Sequence, residues 1–313
     1  LRTPQSPEVS FGDDPLRMLR LYRFAATLGF AIDPSAAEAA GRMAERLEIV
    51  SAERIRDEFS KLMLAPEPSD ALMGLVDAGL AEHFIPEVPA LALQQDPHHR
   101  HKDVLAHTLA VVDKTPPRLE IRLAALYHDV GKPETREFAA GGQVSFHHHE
   151  VVGARLTRRR LRALQYPKQV IHDVSKLVYL HMRPHTFKDG WTDRAVRRYV
   201  RDAGEQLEDL NLLVRCDVTT RNQKRERAIL RRIDELEERI TDLREREELD
   251  AIRPPIDGNR VIAFLGIPPG PIIGRAMDML LEHRLDEGPY SEETALDLLR
   301  TWAATEGIEP AGE

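Results

Sequence analysis

The chain has 313 residues, of which 42% are hydrophobic, so it can bury sizeable cores, and its length favours two or three domains. Its formal net charge of −8 excludes a protein that is basic overall, although basic residues are clustered locally. No run of 18 apolar residues and no signal peptide is found, so no membrane span is expected, and the single Cys216 excludes an internal disulfide framework and fits a reducing cytoplasm.

The first helix is predicted after an N-terminal arm. Residues 1–12 contain prolines and serines without a periodic pattern, which predicts a linker. Asp14 and Pro15 are typical start signals for a helix that ends at Gly29. A slanted basic stripe recurs at every third position of this helix and consists of Arg17, Arg20 and Arg23. Its spacing favours a solvated helix face, with a ligand-binding surface as the alternative.

The sequence DDPLRMLRLYRFAATLGF, continued by SAERIRDEFSKLMLAP at 51–66, resembles the neck-helix motif of bacterial CCA-adding tRNA nucleotidyltransferases. The resemblance implies that Asp14 and Arg17 select the incoming nucleotide, CTP or ATP, and Arg20 is a further nucleotide-binding candidate. Asp13 stands where that family often has Glu. The chemistry agrees, because a carboxylate accepts from an exocyclic amino group while a guanidinium donates to a ring nitrogen. Cytosine and adenine offer this pattern, whereas uracil and guanine would leave both groups mispaired.

Residues 35–90 are predicted to continue as helices. Ser51 can cap a helix whose apolar side consists of Ile55, Phe59, Leu62 and Met63. A short helix over 71–81 is expected to close near Gly79. Residues 86–97 contain prolines and are predicted to form an irregular linker.

A histidine–aspartate pair ends the apolar run LAALYHDVGKP at 123–133. His128 and Asp129 would lie at the inner end of a helix, where nitrogen and charged oxygen suit a divalent metal. A capped helix end that meets solvent is the alternative for this pair alone. Four further segments, most of them apolar, carry candidate ligands on their own predicted helices: His107, His149, His181 and Asp217. A single buried histidine more often makes a structural hydrogen bond, but five such segments favour a metal site.

The pattern H…HD…H…H…D resembles the HD superfamily of metal-dependent phosphohydrolases. The resemblance implies that one ion is bound by His107, His128, Asp129 and Asp217, and a second ion by His149 and His181. His147 or His148 could replace His149, which we prefer because HEVVGA is the usual frame of that family. Catalytic roles are implied for Asp129 and for Lys132, which could face a substrate phosphate. The expected ion is Mg²⁺ or a transition metal such as Mn, Ni or Fe, and it would lower the pKa of a bound water.

Two clusters of basic residues follow this pattern. The segment ARLTRRRLRALQYPK at 154–168 is dense enough in cations to contact an RNA backbone. Its candidate RNA-binding residues are Arg158, Arg159, Arg160, Arg162 and Lys168. The second cluster consists of Arg194, Arg197, Arg198 and Arg201. For both clusters, an exposed helix face that offsets nearby acids is an equally open alternative.

The C-terminal part is predicted to be helical throughout. Residues 223–248 carry a heptad seam formed by Ile229, Ile233, Leu236, Ile240 and Leu243. A Gly/Pro-rich turn then precedes a helix that starts near Pro271, whose free amides could bind a phosphate, although a tight turn is the favoured interpretation. A final helix is capped by Ser291. This part is also similar to the tail of the tRNA nucleotidyltransferase family.

Together these patterns predict an all-α fold with a neck at 1–90, an HD metal-binding domain at 91–222 and a long helix plus tail at 223–313. The resemblance covers about residues 10–302 and implies the C-terminal portion of a CCA-adding enzyme that acts on tRNA with CTP and ATP. That family's head domain, with its D-x-D pair, has no counterpart in the sequence, and Leu1 is not Met, so a piece of a longer protein is expected. The alternatives are a stand-alone HD phosphohydrolase acting on phosphomonoesters or 2′,3′-cyclic phosphates, and a non-catalytic RNA-binding module.

Overall fold

The computed structural model describes residues 1–92, 103–138, 144–189, 191–220, 222–247, 249 and 252–311. Within these ranges it contains 15 α-helices and one short β-hairpin, which confirms the predicted all-α fold. The chain divides into two compact units, the first formed by Leu1–Pro184 and Glu208–Leu230, the second by His185–Leu207 and Arg231–Glu313. None of the helices it describes has the length and apolar character needed to cross a bilayer.

The first unit begins with five α-helices: α1 (Pro7–Asp13), α2 (Leu16–Leu28), α3 (Pro34–Arg42), α4 (Ala52–Met63) and α5 (Ser69–Asp77). Short 3₁₀ segments lie at Ala44–Ile49, Ala81–His83 and Pro89–Leu91. As predicted, α2 ends at Gly29, which adopts a left-handed φ of 68° and donates its N–H to the Ala25 carbonyl. The predicted apolar side of α4 is buried. Of the predicted linker at 86–97, residues 93–97 lie outside the described ranges.

The prediction of a linker over residues 1–12 was wrong, because Pro7–Asp13 forms α1. Ser6 caps this helix by accepting a hydrogen bond from the Val9 N–H, and Pro7 occupies its first turn. Ser10 and Phe11 are buried. The segment is too short to show a helical period, so only its Ser-Pro start signal could have indicated the helix.

The next elements are α6 (Val104–Lys114), α7 (Leu119–Tyr127), β1 (Glu137–Phe138), β2 (Val144–Ser145), α8 (His149–Ala163) and α9 (Lys168–Leu180). Helix α7 is central, since residues 121–127 are all buried and it packs against α4, α6 and α9. The antiparallel hairpin pairs Glu137 with Ser145 and Phe138 with Val144. The hairpin was not predicted, because strands of two residues are too short to show the alternation that marks a strand.

The remaining helices are α10 (Asp193–Ala203), α11 (Leu207–Asp217), α12 (Gln223–Glu247), α13 (Gly258–Leu265), α14 (Pro271–Glu287) and α15 (Glu292–Glu306), with 3₁₀ segments at Arg183–Asp189 and Gly204–Gln206. Helices α13, α14 and α15 share one apolar core in the second unit, which contains Val261, Phe264, Leu280 and Leu299. The predicted seam of α12 is buried, except that Ile229 is half-buried. The starts at Pro271 and after Ser291 are confirmed.

A buried arginine ties α7 to the chain that follows α4. The side chain of Arg122 is almost completely buried, and its guanidinium donates hydrogen bonds to the carbonyls of Thr115, Met63, Ala65 and Pro66. The carbonyls at the end of a helix lack intrahelical donors and carry a partial negative charge. Arg122 therefore satisfies the end of α4, and those carbonyls compensate for burying its charge.

Replacing Arg122 with Met should lower the free energy of unfolding by about 3–5 kcal/mol, because the substitution leaves the buried carbonyls of Met63, Ala65 and Thr115 without their donor. The matched control is Arg155→Met, since Arg155 is exposed and pairs only with Glu134. That substitution should cost less than about 1 kcal/mol. Urea denaturation followed by circular dichroism measures both, and equal losses would contradict the structural role of Arg122.

Candidate functional site

Four imidazoles and two carboxylates converge inside the first unit. Each stands at or near a helix end: His107 lies in the first turn of α6, His128 and Asp129 follow α7, His149 begins α8, His181 follows α9 and Asp217 ends α11. The four residues that follow α7, begin α8 and follow α9 are buried. The structure therefore brings together all six residues that the sequence predicts as metal ligands.

The first group consists of His107, His128 and Asp129, whose ligand atoms all lie within 4.8 Å of one another. The two Nε2 atoms are 3.4 Å apart. Two nitrogens bound to one ion at about 2.1 Å in tetrahedral geometry would lie about 3.4 Å apart. Asp129 Oδ2 lies 3.3 Å from His128 Nε2, and Asp217 Oδ1 lies 2.9 Å from His107 Nε2. These four residues therefore have the spacing of ligands around one ion.

The second group consists of Asp129, His149 and His181. The Nε2 atoms of the two histidines are 3.3 Å apart, and Asp129 Oδ1 lies 3.5 Å from His149 Nε2. Asp129 thus turns one oxygen to each group. This is the arrangement of a carboxylate that bridges two ions.

One kind of hydrogen bond orients three of the imidazoles. The Nδ1 atoms of His128, His149 and His181 lie 2.8, 2.9 and 2.6 Å from the backbone carbonyl three residues earlier. His107 Nδ1 lies 2.6 Å from the Thr219 hydroxyl. A carbonyl only accepts, so Nδ1 of these three rings carries a proton and Nε2 faces the centre, where in a neutral ring it presents its lone pair, as in metal-binding histidines. Facing lone pairs at 3.3 Å repel unless a cation lies between them, so the donor set fits a metal.

The pKa shifts of the histidines differ between the two groups. Burial lowers the pKa of His128, but the carboxylates of Asp129 and Asp217 outweigh it and raise that pKa to about 9. Burial would raise the pKa of Asp129, yet His128 and Lys132 hold it far below its ordinary value. Burial lowers the pKa of His149, and burial and the charge of His128 lower that of His181 to about 3. At neutral pH the second group therefore offers neutral nitrogens, whereas a metal would have to displace a proton from His128.

The turn after the His-Asp pair packs tightly on α8. A Cβ at Gly131 would lie 2.1 Å from the His149 carbonyl oxygen, so this position requires glycine. The close approach brings His149 beside Asp129, whereas His147 and His148 are exposed. The Lys132 ammonium lies 2.6 Å from Asp129 Oδ2.

The predicted nucleotide-reading residues lie at the start of α2, where α4 contacts them. Both carboxylate oxygens of Asp14 accept from Arg54 Nη2, at 3.1 and 3.0 Å, and Oδ1 also accepts from the Leu16 N–H. Arg17 Nη1 donates to the carbonyl and hydroxyl of Ser10 at 3.1 and 3.3 Å. Arg54 was not among the predicted site residues, although it lies in the segment at 51–66 that resembles the family motif.

A second residue of α4, Glu58, holds the basic stripe of α2. Its buried carboxylate accepts from Arg23 Nε at 2.7 Å and from Arg20 Nε at 3.4 Å. Burial raises its pKa, but Arg23, Lys61 and Arg20 together lower it below the ordinary value. Arg20 and Arg23 of the stripe therefore form ion pairs with α4, so the stripe is not simply a solvated face. A charged residue on the apolar side of α4 was the sequence feature that could have indicated this contact.

The basic residues of α8 and the start of α9 differ in exposure and in ion pairing. Arg158, Arg159, Arg162 and Lys168 are exposed. Arg160 instead donates two hydrogen bonds to the buried Glu87, at 2.8 and 3.1 Å. In the second cluster, every arginine is paired with an acid of its own unit: Arg194 and Arg198 with Asp286, Arg197 with Glu247, and Arg201 with Asp202. That pairing supports the alternative in which the second cluster offsets nearby acids.

Comparison with known proteins identifies two family models. Residues 29–91 match the model described as the probable RNA and SrmB-binding site of polymerase A, and residues 100–239 match the HD domain. The chain is 35% identical to the CC-adding tRNA nucleotidyltransferase of Thermus thermophilus, over 97% of this chain and 70% of that protein. It is 33% identical to the A-adding tRNA nucleotidyltransferase of Deinococcus radiodurans, over 93% and 68%. The crystal structure of the Bacillus stearothermophilus CCA-adding enzyme in complex with CTP shares its fold, with a TM-score of 0.65, 20% identity and coverage of 98% of this chain and 66% of that chain.

The position of Asp129 predicts unequal losses of metal. His107→Ala should remove one bound equivalent of Mn²⁺ and His181→Ala the other, whereas Asp129→Ala should remove both, because each histidine serves one group and the carboxylate serves both. Mass spectrometry of the metal content after equilibration with Mn²⁺ measures this, with the exposed His172→Ala as control. Full occupancy of either site in Asp129→Ala would contradict the bridging role.

Proposed function

The chain belongs to the bacterial tRNA nucleotidyltransferase family, and on that basis we propose that it takes part in adding C, C and A to tRNA 3′ ends. CTP and ATP are the proposed nucleotides and tRNA the proposed partner. We assign nucleotide selection to residues 1–90, metal binding to 91–222 and further tRNA contacts to 223–313. The cytoplasm is the proposed location, since it would keep Cys216 reduced.

The single observation that carries this proposal is that hydrogen bonds fix the carboxylate of Asp14 close to Arg17 at the start of α2. Arg54 and the Leu16 N–H fix the direction of that carboxylate, so its free lone pairs can accept from the amino group of cytosine or adenine. Arg17 would donate to the adjacent ring nitrogen. Uracil and guanine present the opposite pattern, and a mispaired group in a desolvated site costs about 1–3 kcal/mol. The pair thus supports selection of CTP and ATP over UTP and GTP.

Contacts to the RNA backbone are proposed for the exposed cations of α8 and of the first residue of α9: Arg158, Arg159, Arg162 and Lys168. Arg160 was predicted with them, and its bidentate pair with Glu87 leaves it less able to reach a phosphate. A supporting role in the fold is therefore proposed for Arg160 in addition to the predicted one.

Nucleotide binding by the 313-residue chain tests this function. Ligand-observed NMR should show CTP and ATP binding at least about fivefold more tightly than UTP and GTP, because a mispairing cost of about 1 kcal/mol corresponds to about that ratio. Asp14→Asn should abolish this preference, because an amide offers both donor and acceptor and no longer discriminates. The exposed neighbour substitution Glu53→Gln is the matched control and should preserve it. Equal binding of all four nucleotides by the unmodified chain would contradict the proposal.

Metal-dependent phosphohydrolysis is the second candidate function, and the observation that favours it is the Asp129 carboxylate shared between two groups of imidazoles. His107, His128, Asp129 and Asp217 would hold one ion, and Asp129, His149 and His181 the other. A bound ion would supply hydroxide near neutral pH and stabilise charge on a phosphoryl oxygen. The imidazole-rich donor set suits Mn, Ni or Fe better than Mg. Lys132 is proposed to hold a substrate phosphate beside the centre, where its ammonium already contacts Asp129.

Hydrolysis of 2′,3′-cyclic AMP and of a nucleoside monophosphate in the presence of Mn²⁺ or Ni²⁺ tests this candidate. Substituting His128 or Asp129 with Ala should reduce the rate at least about a hundredfold, since a metal ligand or its orientation is lost. Lys132→Ala should raise KM for both substrates with metal content unchanged. Retained hydrolysis in both ligand variants would reject the assignment, and metal-free protein that still binds tRNA would favour the non-catalytic RNA-binding module.

A further inference from the structure

A groove in the first unit shares no lining residue with either candidate site. It runs between α2, α3 and α5 and has a volume of about 960 Å³, at the upper end of the range for binding pockets. Its apolar lining includes Ala25, Ala26, Phe30, Ile32 and Ala71. The Phe30 side chain is 58% exposed and adds a large apolar surface to this lining.

The floor of the groove depends on a glycine. A Cβ at Gly74 would lie 2.6 Å from Cε1 of Tyr22, so only glycine allows the tyrosine ring to lie against α5. Tyr22 is buried there. A larger residue at position 74 would force the ring toward the groove. The hollow is therefore a packed feature of α2 and α5 and not a gap left by loose loops.

The rim of the groove is acidic. Glu67, Asp70 and Asp77 line it, are exposed and make no ion pair within the described residues. No lysine or arginine is among the residues that line the groove. By contrast, the two buried acids Glu58 and Glu87 are held by Arg23 and Arg160. Unpaired carboxylates around an apolar floor repel one another and repel phosphate, and a cationic occupant would relieve that repulsion.

We propose that this groove docks a basic amphipathic helix of a partner protein. The apolar face of such a helix would cover Phe30 and the alanines, and its flanking lysines or arginines would meet the three carboxylates. The charge of the groove favours a basic protein segment over RNA, because the three carboxylates would repel RNA phosphates. The proposal stands independently of the nucleotide and metal assignments.

A synthetic probe tests the groove directly. Fluorescence anisotropy would follow a labelled helical peptide of about 14 residues, with leucines on one face and lysines elsewhere, added to the full 313-residue chain. The same peptide with glutamates in place of lysines is the ligand control. The groove variants are F30S and the triple substitution E67Q/D70N/D77N. The matched control is the triple substitution E235Q/E238Q/D242N. It neutralises three exposed acids of α12, none of which lines the groove.

We expect the lysine peptide to bind and each groove variant to weaken it by at least about tenfold, while the α12 control changes affinity by less than about twofold. Circular dichroism should show unchanged folding of all variants, since every altered side chain is exposed. No binding by the chain, or equal losses in the groove and α12 triple variants, would overturn the proposal. A labelled tRNA whose binding falls in F30S would assign the groove to RNA, and a dimer that F30S converts to monomer would assign it to a second copy. Either result would also overturn the proposal.

Discussion

The buried carboxylate of Asp129 is the group on which the first unit depends most. Its two oxygens face two pairs of imidazoles, and burying such a charge is unfavourable without cationic or hydrogen-bonding partners. Each partner comes from a different helix. The ends of α6, α7, α8 and α9 that carry these imidazoles must therefore meet at one point in space for Asp129 to be tolerated there.

The orientation of three of the histidines depends on residues next to them in the chain, whereas the distances among the ligands depend on contacts between different segments. Each of His128, His149 and His181 is fixed by the carbonyl three residues earlier, a contact that needs only a histidine at a helix end. The sequence could therefore predict which residues face inward. It could not predict the distances, because these depend on contacts such as the one between Gly131 and the His149 carbonyl, which join segments far apart in the chain. The choice of His149 over its two neighbours rested on resemblance, and the structure brings His149 alone of the three to the centre.

The helix ends were similarly easy to place where one residue determines them. Gly29 ends α2 and Ser291 begins α15, since a left-handed glycine and a hydroxyl cap act on their own turn. Helix α1 and the β-hairpin were missed because neither is long enough to show a period. Arg54 and Glu58 were missed for another reason. Their partners lie about forty residues away, at the start of α2 and on it, and although the position of Glu58 on the apolar side of α4 marks it as unusual, no local pattern identifies its partner.

Helix α4 supports both candidate sites at once. On one side, Arg54 pairs with Asp14 at the start of α2. Glu58 pairs with Arg20 and Arg23 of the basic stripe. On another, Arg56 donates to the Gln165 carbonyl at 2.6 Å, and Ser60 shares a hydrogen bond of 2.8 Å with Tyr166 in the turn between α8 and α9. That turn joins the two helices that carry His149 and His181. Because α4 is also closed by Arg122 of α7, its position is fixed from three directions. A helix held in this way cannot shift on one side without moving its contacts on the other, so the residues proposed to read the nucleotide and the imidazole cluster share one supporting element.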